Sequence, residues 1–168
     1  MRTTDETPTR YALGGYSLSA YAEPGSRSTR YERIDASDTY MTITRLPFEF
    51  GDVKALPTWP IISRAVTHGD TVYLSGLLSS YPPNPEDDIR VQTKKVLQRI
   101  DRLLADAGTN KSKLLTAQVW LADMNMFTEH NEVWNEWVDS DNPPARVCIQ
   151  AQLVHPVFLV EIMVTAAR

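Results

Sequence analysis

A chain of 168 residues with 42% hydrophobic and 23% charged content is long enough for one globular domain with a substantial core and some chain to spare. Its net charge of -4, without any cluster of Lys and Arg interleaved with aromatics, argues against a nucleic-acid partner. No apolar run approaches a membrane span, the start Met1-Arg2-Thr3-Thr4-Asp5-Glu6 lacks a secretory core, and the single cysteine, Cys148, rules out an internal disulfide, so the expectation is a cytoplasmic protein.

Residues 1–40 hold five of the seven tyrosines, many Ser, Thr and Arg, and only Leu13, Leu18 and Ile34 as large aliphatics. Such a stretch cannot bury enough surface to fold alone. It reads as an N-terminal extension, either a leader or an arm packing its tyrosines on a neighbouring subunit, ahead of a domain over 41–168. That domain opens with Met41 to Leu46, alternating like a strand. Ser63 to Val66 and Thr71 to Ser75 flank His68-Gly69-Asp70, a turn with glycine free to take positive φ, and predict a hairpin. The proline-rich Tyr81-Pro82-Pro83-Asn84-Pro85 ends this sheet segment.

A helix is predicted from Asp87 and Asp88 through Ala107, with Val91, Val96, Leu97, Ile100, Leu103, Leu104 and Ala107 on one buried face and Gly108 closing it. Leu115 to Leu121 reads as a strand turning Leu115, Ala117, Val119 and Leu121 towards a helix. A second helix follows from Met126 to Val138, clustering Phe127, His130, Asn131, Trp134 and Trp137, until Pro143 and Pro144 stop it. The order β-β-β-α-β-α-β-β specifies an α+β domain: a mixed sheet with two helices on one face.

The last two strands carry the most informative residues. Arg146, Cys148 and Gln150 share one face, and Val147, Ile149 and Ala151 form an apolar other face. In Val157 to Val164 both faces are apolar except for Glu161. Charges on buried strands need a partner or a use. The short link Gln152 to Pro156 suggests a hairpin that would bring Arg146 and Glu161 to one pocket, where they either bind a small anion or form a structural ion pair.

Other chemistry is sparse. There is no phosphate-binding glycine loop, no nucleophile elbow and no zinc-deaminase pattern. His68, His130 and His155 fall in a turn, a helix and a link, which reads as surface or structural use rather than a metal site. Trp134 and Trp137 read as core or interface rather than a stacking platform.

Taken together, Ala65-Val66-x-x-Gly69-x-x-Val72-Tyr73-Leu74-Ser75-Gly76, Gln92-Thr93, Leu103-Leu104-x-x-Ala107-Gly108, Asp123-Met124-x-x-Phe127-x-x-x-Asn131, Pro144-Ala145-Arg146 and Val160-Glu161-Ile162 resemble the Rid family (RidA/YjgF), the reactive intermediate deaminases, over about residues 60–168. The resemblance implies a chorismate-mutase-like fold, a homotrimer with ligand clefts between subunits, and hydrolysis of enamine or imine intermediates to 2-oxo acids and ammonia without cofactor or metal. It places Arg146 on the substrate carboxylate and Glu161 on the attacking water, with Ser75, Asn131 and Cys148 as further cleft positions.

The chain also departs from the pattern. Ile62 stands where typical deaminases carry tyrosine, Arg64 where glutamine is common, and Leu77 where glutamine is usual. The cleft therefore loses a phenol and gains a charge. The alternative is a carboxylate-binding or chaperone-like trimer without turnover, its partners a small imino or keto acid and further copies of itself. The endoribonuclease activity also attached to the family fits poorly with an acidic chain lacking a histidine acid/base pair.

Overall fold

The structure, a computed structural model, describes residues 9–13, 16–22, 29–34, 42–47 and 61–168, which divide into two compact units between Thr42 and Ile43. In the first unit, β1 (Thr9–Leu13), β2 (Tyr16–Ala22) and β3 (Thr29–Ile34) form an antiparallel meander, with Tyr11 opposite Leu18 and Ala20 opposite Tyr31. Pairing main chain to main chain satisfies the backbone even in a stretch so poor in aliphatics.

The second unit holds β4 (Ile43–Pro47), β5 (Ser63–His68), β6 (Thr71–Leu74), α1 (Ile89–Asp106), β7 (Leu114–Leu121), α2 (Phe127–Trp137), β8 (Ala145–Gln150) and β9 (Val160–Ala167). The six strands form one mixed sheet in the order β4-β5-β6-β9-β7-β8, with β7 and β8 parallel and the other pairs antiparallel. Gly69, at φ 56°, makes the tight β5–β6 turn. The crossover through α2 is what permits the parallel pair.

Both helices lie on one face of this sheet. Alternation turns Ala65, Val72, Leu74, Ala117, Val119, Ile162 and Val164 into the core beneath them, where Val96, Leu97, Ile100, Leu104 and Trp134 meet them. The opposite face is open: Tyr73, Val147 and Ile149 are 45%, 51% and 48% exposed.

The expected hairpin between the last two strands does not form. β7 lies between β8 and β9, because residues 151–159 carry the chain over the end of β7, anchored by Ala151 N–H to Leu121 O and Ala122 N–H to Leu159 O, both 2.9 Å. Three apolar positions also differ from expectation. Leu115 is 48% exposed because the register between β7 and β9 shifts between Leu114 and Thr116, so Leu114 is buried in its place. Val91 points outward because the inward positions of the first turns of α1 are Ile89, Gln92, Thr93 and Val96. Phe127, at the start of α2, is likewise exposed.

Gln92 explains why a polar residue takes an inward position. Its amide donates to Val157 O at 2.8 Å and Asp87 O at 3.1 Å, and its carbonyl accepts from Leu159 N–H at 3.0 Å. One buried side chain thus ties α1 to the segment that enters β9. At the start of α1, Asp88 accepts from Val91 N–H at 2.8 Å, capping the helix. Replacing Gln92 by Leu leaves three backbone groups unpartnered, and we expect a loss of about 2–4 kcal/mol in urea unfolding.

Candidate functional site

The register decides where the two charged residues point. Arg146 pairs with Ala117, which also pairs with Val164, so its side chain lies on the helix-covered face. Glu161 pairs with Trp120 and is three residues from Val164, which puts it on the open face. Within one subunit the two residues therefore occupy opposite sides of the sheet. Neither a shared pocket nor an Arg146–Glu161 ion pair forms there.

On the helix side, Arg146 is held by α2. Its Nη1 donates to Asn131 Oδ1 at 2.8 Å, and its guanidinium carbon lies 4.6 Å from the centre of the Trp134 ring. Cys148 follows two residues later on the same face, its thiol beside the guanidinium. The Nε and Nη2 of Arg146 are buried without a hydrogen-bond partner, and among the described residues no carboxylate pairs with it. Burial lowers its pKa, partly offset by Cys148, yet a guanidinium stays charged. Burial also pushes the Cys148 thiol up, against the nearby positive charge. The result is a partly desolvated cation with donors to spare, an arrangement that can receive a planar anion.

His130, the residue before Asn131 on α2, is fully buried, its Nδ1 3.0 Å from Thr93 Oγ1 on α1 and its ring 6.4 Å from that of Trp134. Burial first, and the Arg146 charge second, lower its pKa to about 4, so it is neutral at physiological pH.

On the open side, Glu161 rests against Gly76. Leu77 N–H donates to Ile162 O at 2.9 Å and Ile162 N–H to Leu77 O at 3.1 Å, so residues 76–77 are pinned beside β9. A Cβ on Gly76 would collide with Glu161 Oε1. Burial raises the Glu161 pKa above 4.5, and among the described residues no cation pairs with it. A half-buried carboxyl of this kind can exchange protons near neutrality more readily than an exposed one.

Of the expected site residues, Arg146, Asn131 and Cys148 come together on the helix side, and Glu161 stands apart. Ser75 donates its hydroxyl to Ser63 O at 2.6 Å and its N–H to Arg64 O at 3.0 Å, closing the end of β5 against β6. Arg64, next to buried Ala65, alternates onto the open side, and Ile62 lies 43% exposed just before β5. Trp134 is buried in the core as expected and there also lies against the Arg146 guanidinium, whereas Thr93 was not singled out as a site residue at all. The signal for Trp134 was present in its spacing: it follows Asn131 by three residues, placing both on one helix face.

Two concavities elsewhere include neither Arg146 nor Glu161. One, of about 380 Å³, lies between the helices beside Val91, Lys94 and Trp137; the other, of about 480 Å³, lies near Gln150, Leu153 and His155. Among the described residues no cluster of His, Cys, Asp or Glu is placed to hold a metal, and no helix is long and apolar enough to cross a membrane.

A mixed sheet covered on one face by two helices, with an unpaired guanidinium beneath the second of them, defines a YjgF-type α+β fold. Residues 54–168 match the family described as Endoribonuclease L-PSP, and the chain belongs to this family, the Rid (RidA/YjgF) family. Similar proteins include a RutC family protein of Haemophilus influenzae, 41% identical over 105 residues that cover 62% of this chain and 89% of the relative. The RutC family protein YoaB of Escherichia coli is 39% identical over the same length and the same shares of both chains. A crystal structure of a YjgF family member from Neisseria meningitidis superposes with a TM-score of 0.64 at 34% identity, covering 77% of this chain and 97% of that one.

Two predictions follow from this geometry. In Gly76→Ala the new methyl displaces the Glu161 carboxyl towards water, so its pKa should fall back towards 4.5; an unchanged carboxyl titration followed by NMR would remove Gly76 as its support. For His130, the unfolded imidazole takes a proton near 6.5 while the folded one resists until about 4, so stability is lost as pH falls through that window. The loss should total about 3 kcal/mol. Glu161, whose pKa is raised, acts with the opposite sign, losing stability as pH rises above 4.5. Urea unfolding across pH should therefore show the acid-side loss diminished in His130→Met.

Proposed function

We propose that this chain is an imine and enamine deaminase, hydrolysing 2-imino acids to 2-oxo acids and ammonia, in a homotrimer with clefts between subunits. The observation that carries this reading is Arg146, a partly buried guanidinium fixed by Asn131 and Trp134 with Nε and Nη2 unpartnered. A substrate carboxylate supplies the missing acceptors and, held by the planar fork, sets the position of the adjacent C=N carbon.

Glu161 supplies the proton chemistry. Water adds its oxygen to the imine carbon and gives a proton to the Glu161 carboxylate, while the C=N electron pair moves to nitrogen, which takes up a proton from solvent. The resulting carbinolamine loses ammonia as its hydroxyl proton passes back to solvent and the C=O bond forms, with Glu161 returning its proton to the departing nitrogen. No redox partner is needed, because the carbon keeps its oxidation level throughout.

Because Arg146 and Glu161 lie on opposite faces of one sheet, they act on one substrate when adjacent subunits supply them. The open face supports this assembly. Tyr73, Val147 and Ile149 leave an apolar surface next to Glu161 that association would cover. The alternative, carboxylate binding without turnover, is favoured by Ile62 at the position where deaminases carry tyrosine.

The test is the decay of 2-aminoacrylate and bulkier imino acids, generated in place and trapped with semicarbazide. Wild type should accelerate decay; Arg146→Ala should abolish the effect, and Glu161→Gln should lower kcat by about 10²–10⁴-fold. Val147→Asp should dissociate the trimer in light scattering and remove activity with it. An intact wild-type trimer that binds 2-oxo acids but accelerates no imine would establish the binding reading instead.

A further inference from the structure

We propose that the three-stranded sheet of the first unit is a self-association surface: one of its faces is apolar and packs against the same face of other copies of this chain.

The strand register sorts the residues. Directly opposed residues share a face, and successive residues alternate between the two. Tyr11 is opposite Leu18, Leu13 opposite Tyr16 and Ala20 opposite Tyr31, which gathers three tyrosines and two leucines on one face. Arg33, opposite Leu18, is the only charged residue of the three strands on that face. The other face takes Arg10 and Glu32 on either side of Ser19, Arg30 opposite Tyr21, and Ile34 opposite Ser17. A stretch that is evenly tyrosine-rich along the chain is thus divided by its pairing into an apolar side and a charged side.

A sheet with one apolar face needs a second layer to cover it. Among the described residues, the first unit contains no element besides β1, β2 and β3. The chemistry of the face narrows the occupant. A single arginine gives an acidic or basic partner little to recognise, so the covering surface is itself apolar. Tyrosine suits such a contact, because its ring is apolar while its hydroxyl tolerates a wet rim. Another copy of the same face meets these requirements, since an isologous contact needs only a surface that complements itself.

Size points the same way. Strands of 5, 7 and 6 residues, at about 4.8 Å between strands and about 3.4 Å per residue, make a face of roughly 300 Å². Two such faces fall short of the total of about 1,000 Å² that a stable association of free proteins needs. The contact therefore belongs to copies already held together, where tethering raises the effective concentration to about the millimolar range. The proposed trimer supplies that tether, so the inference rests on that assembly, though not on the deaminase chemistry.

Photochemical dityrosine crosslinking of the full chain reads the contact. In oligomers refolded from equal parts of nitrogen-15-labelled and unlabelled chains, mass spectrometry should find mixed-isotope links among Tyr11, Tyr16 and Tyr31, and none from Tyr21 on the other face. Leu18→Asp, at the centre of the apolar face, should abolish these links. Ser19→Asp, its neighbour on the charged face, should leave them at the wild-type yield. Equal losses in the two variants, links from Tyr21 as frequent as those from the apolar face, or no mixed-isotope links at all would overturn the proposal. Light scattering on the same samples separates the two readings: a wild-type trimer without mixed links sinks the self-association alone, whereas a wild-type monomer sinks the trimer as well.

Discussion

A cation held half out of water on the helix-covered face of a sheet is the constraint around which the second unit is arranged. Arg146 cannot shed its charge, so the layers around it must answer that charge with dipoles and a π face. Helix α2 does so with Asn131 and Trp134, one turn apart. The parallel pairing of β8 with β7 brings Arg146 under that helix, and the α2 crossover makes the parallel pairing possible. Moving β8 by one residue would turn Arg146 to the open face and Val147 into the helix layer.

Glu161 obeys a different logic. Its support is the absence of a side chain at Gly76, with the Leu77–Ile162 backbone bridge fixing how closely the two segments approach. Here the sheet itself makes the environment: a carboxyl over main chain, beside apolar residues that no element of the same unit covers. The fold thus builds two charged positions by two means, one by packing a helix and the other by omitting a methyl group.

Much of this was legible in the sequence. The order of elements from β4 to β9, the α1 core residues from Val96 to Ala107, and the faces of the last strands all follow from periodicity, because period 2 and period 3.6 were unambiguous there. Sequence-level reasoning failed where pairing is non-local. The link Gln152 to Pro156 is short enough for a hairpin, and alternation along a strand says nothing about which strand lies beside it. Leu115 escaped for a related reason, since a single irregularity at Leu114 to Thr116 reverses the side on which a residue falls. His130 is structural, as read, but its partner Thr93 in another helix and its unpartnered Nε2 are properties of three-dimensional packing that the sequence does not show.

The separation of Arg146 and Glu161 by the thickness of one sheet bears on the genetics of the proposed trimer. A cleft assembled from two subunits draws its anion anchor from one copy and its proton carrier from another. Two alleles, one defective at each position, are then individually inactive yet able to rescue each other when co-expressed, since a mixed ring contains clefts bordered by the intact face of each. The same arithmetic makes a subunit damaged on both faces a poison to its neighbours. Inheritance at this locus would then follow the composition of the ring rather than that of the single chain.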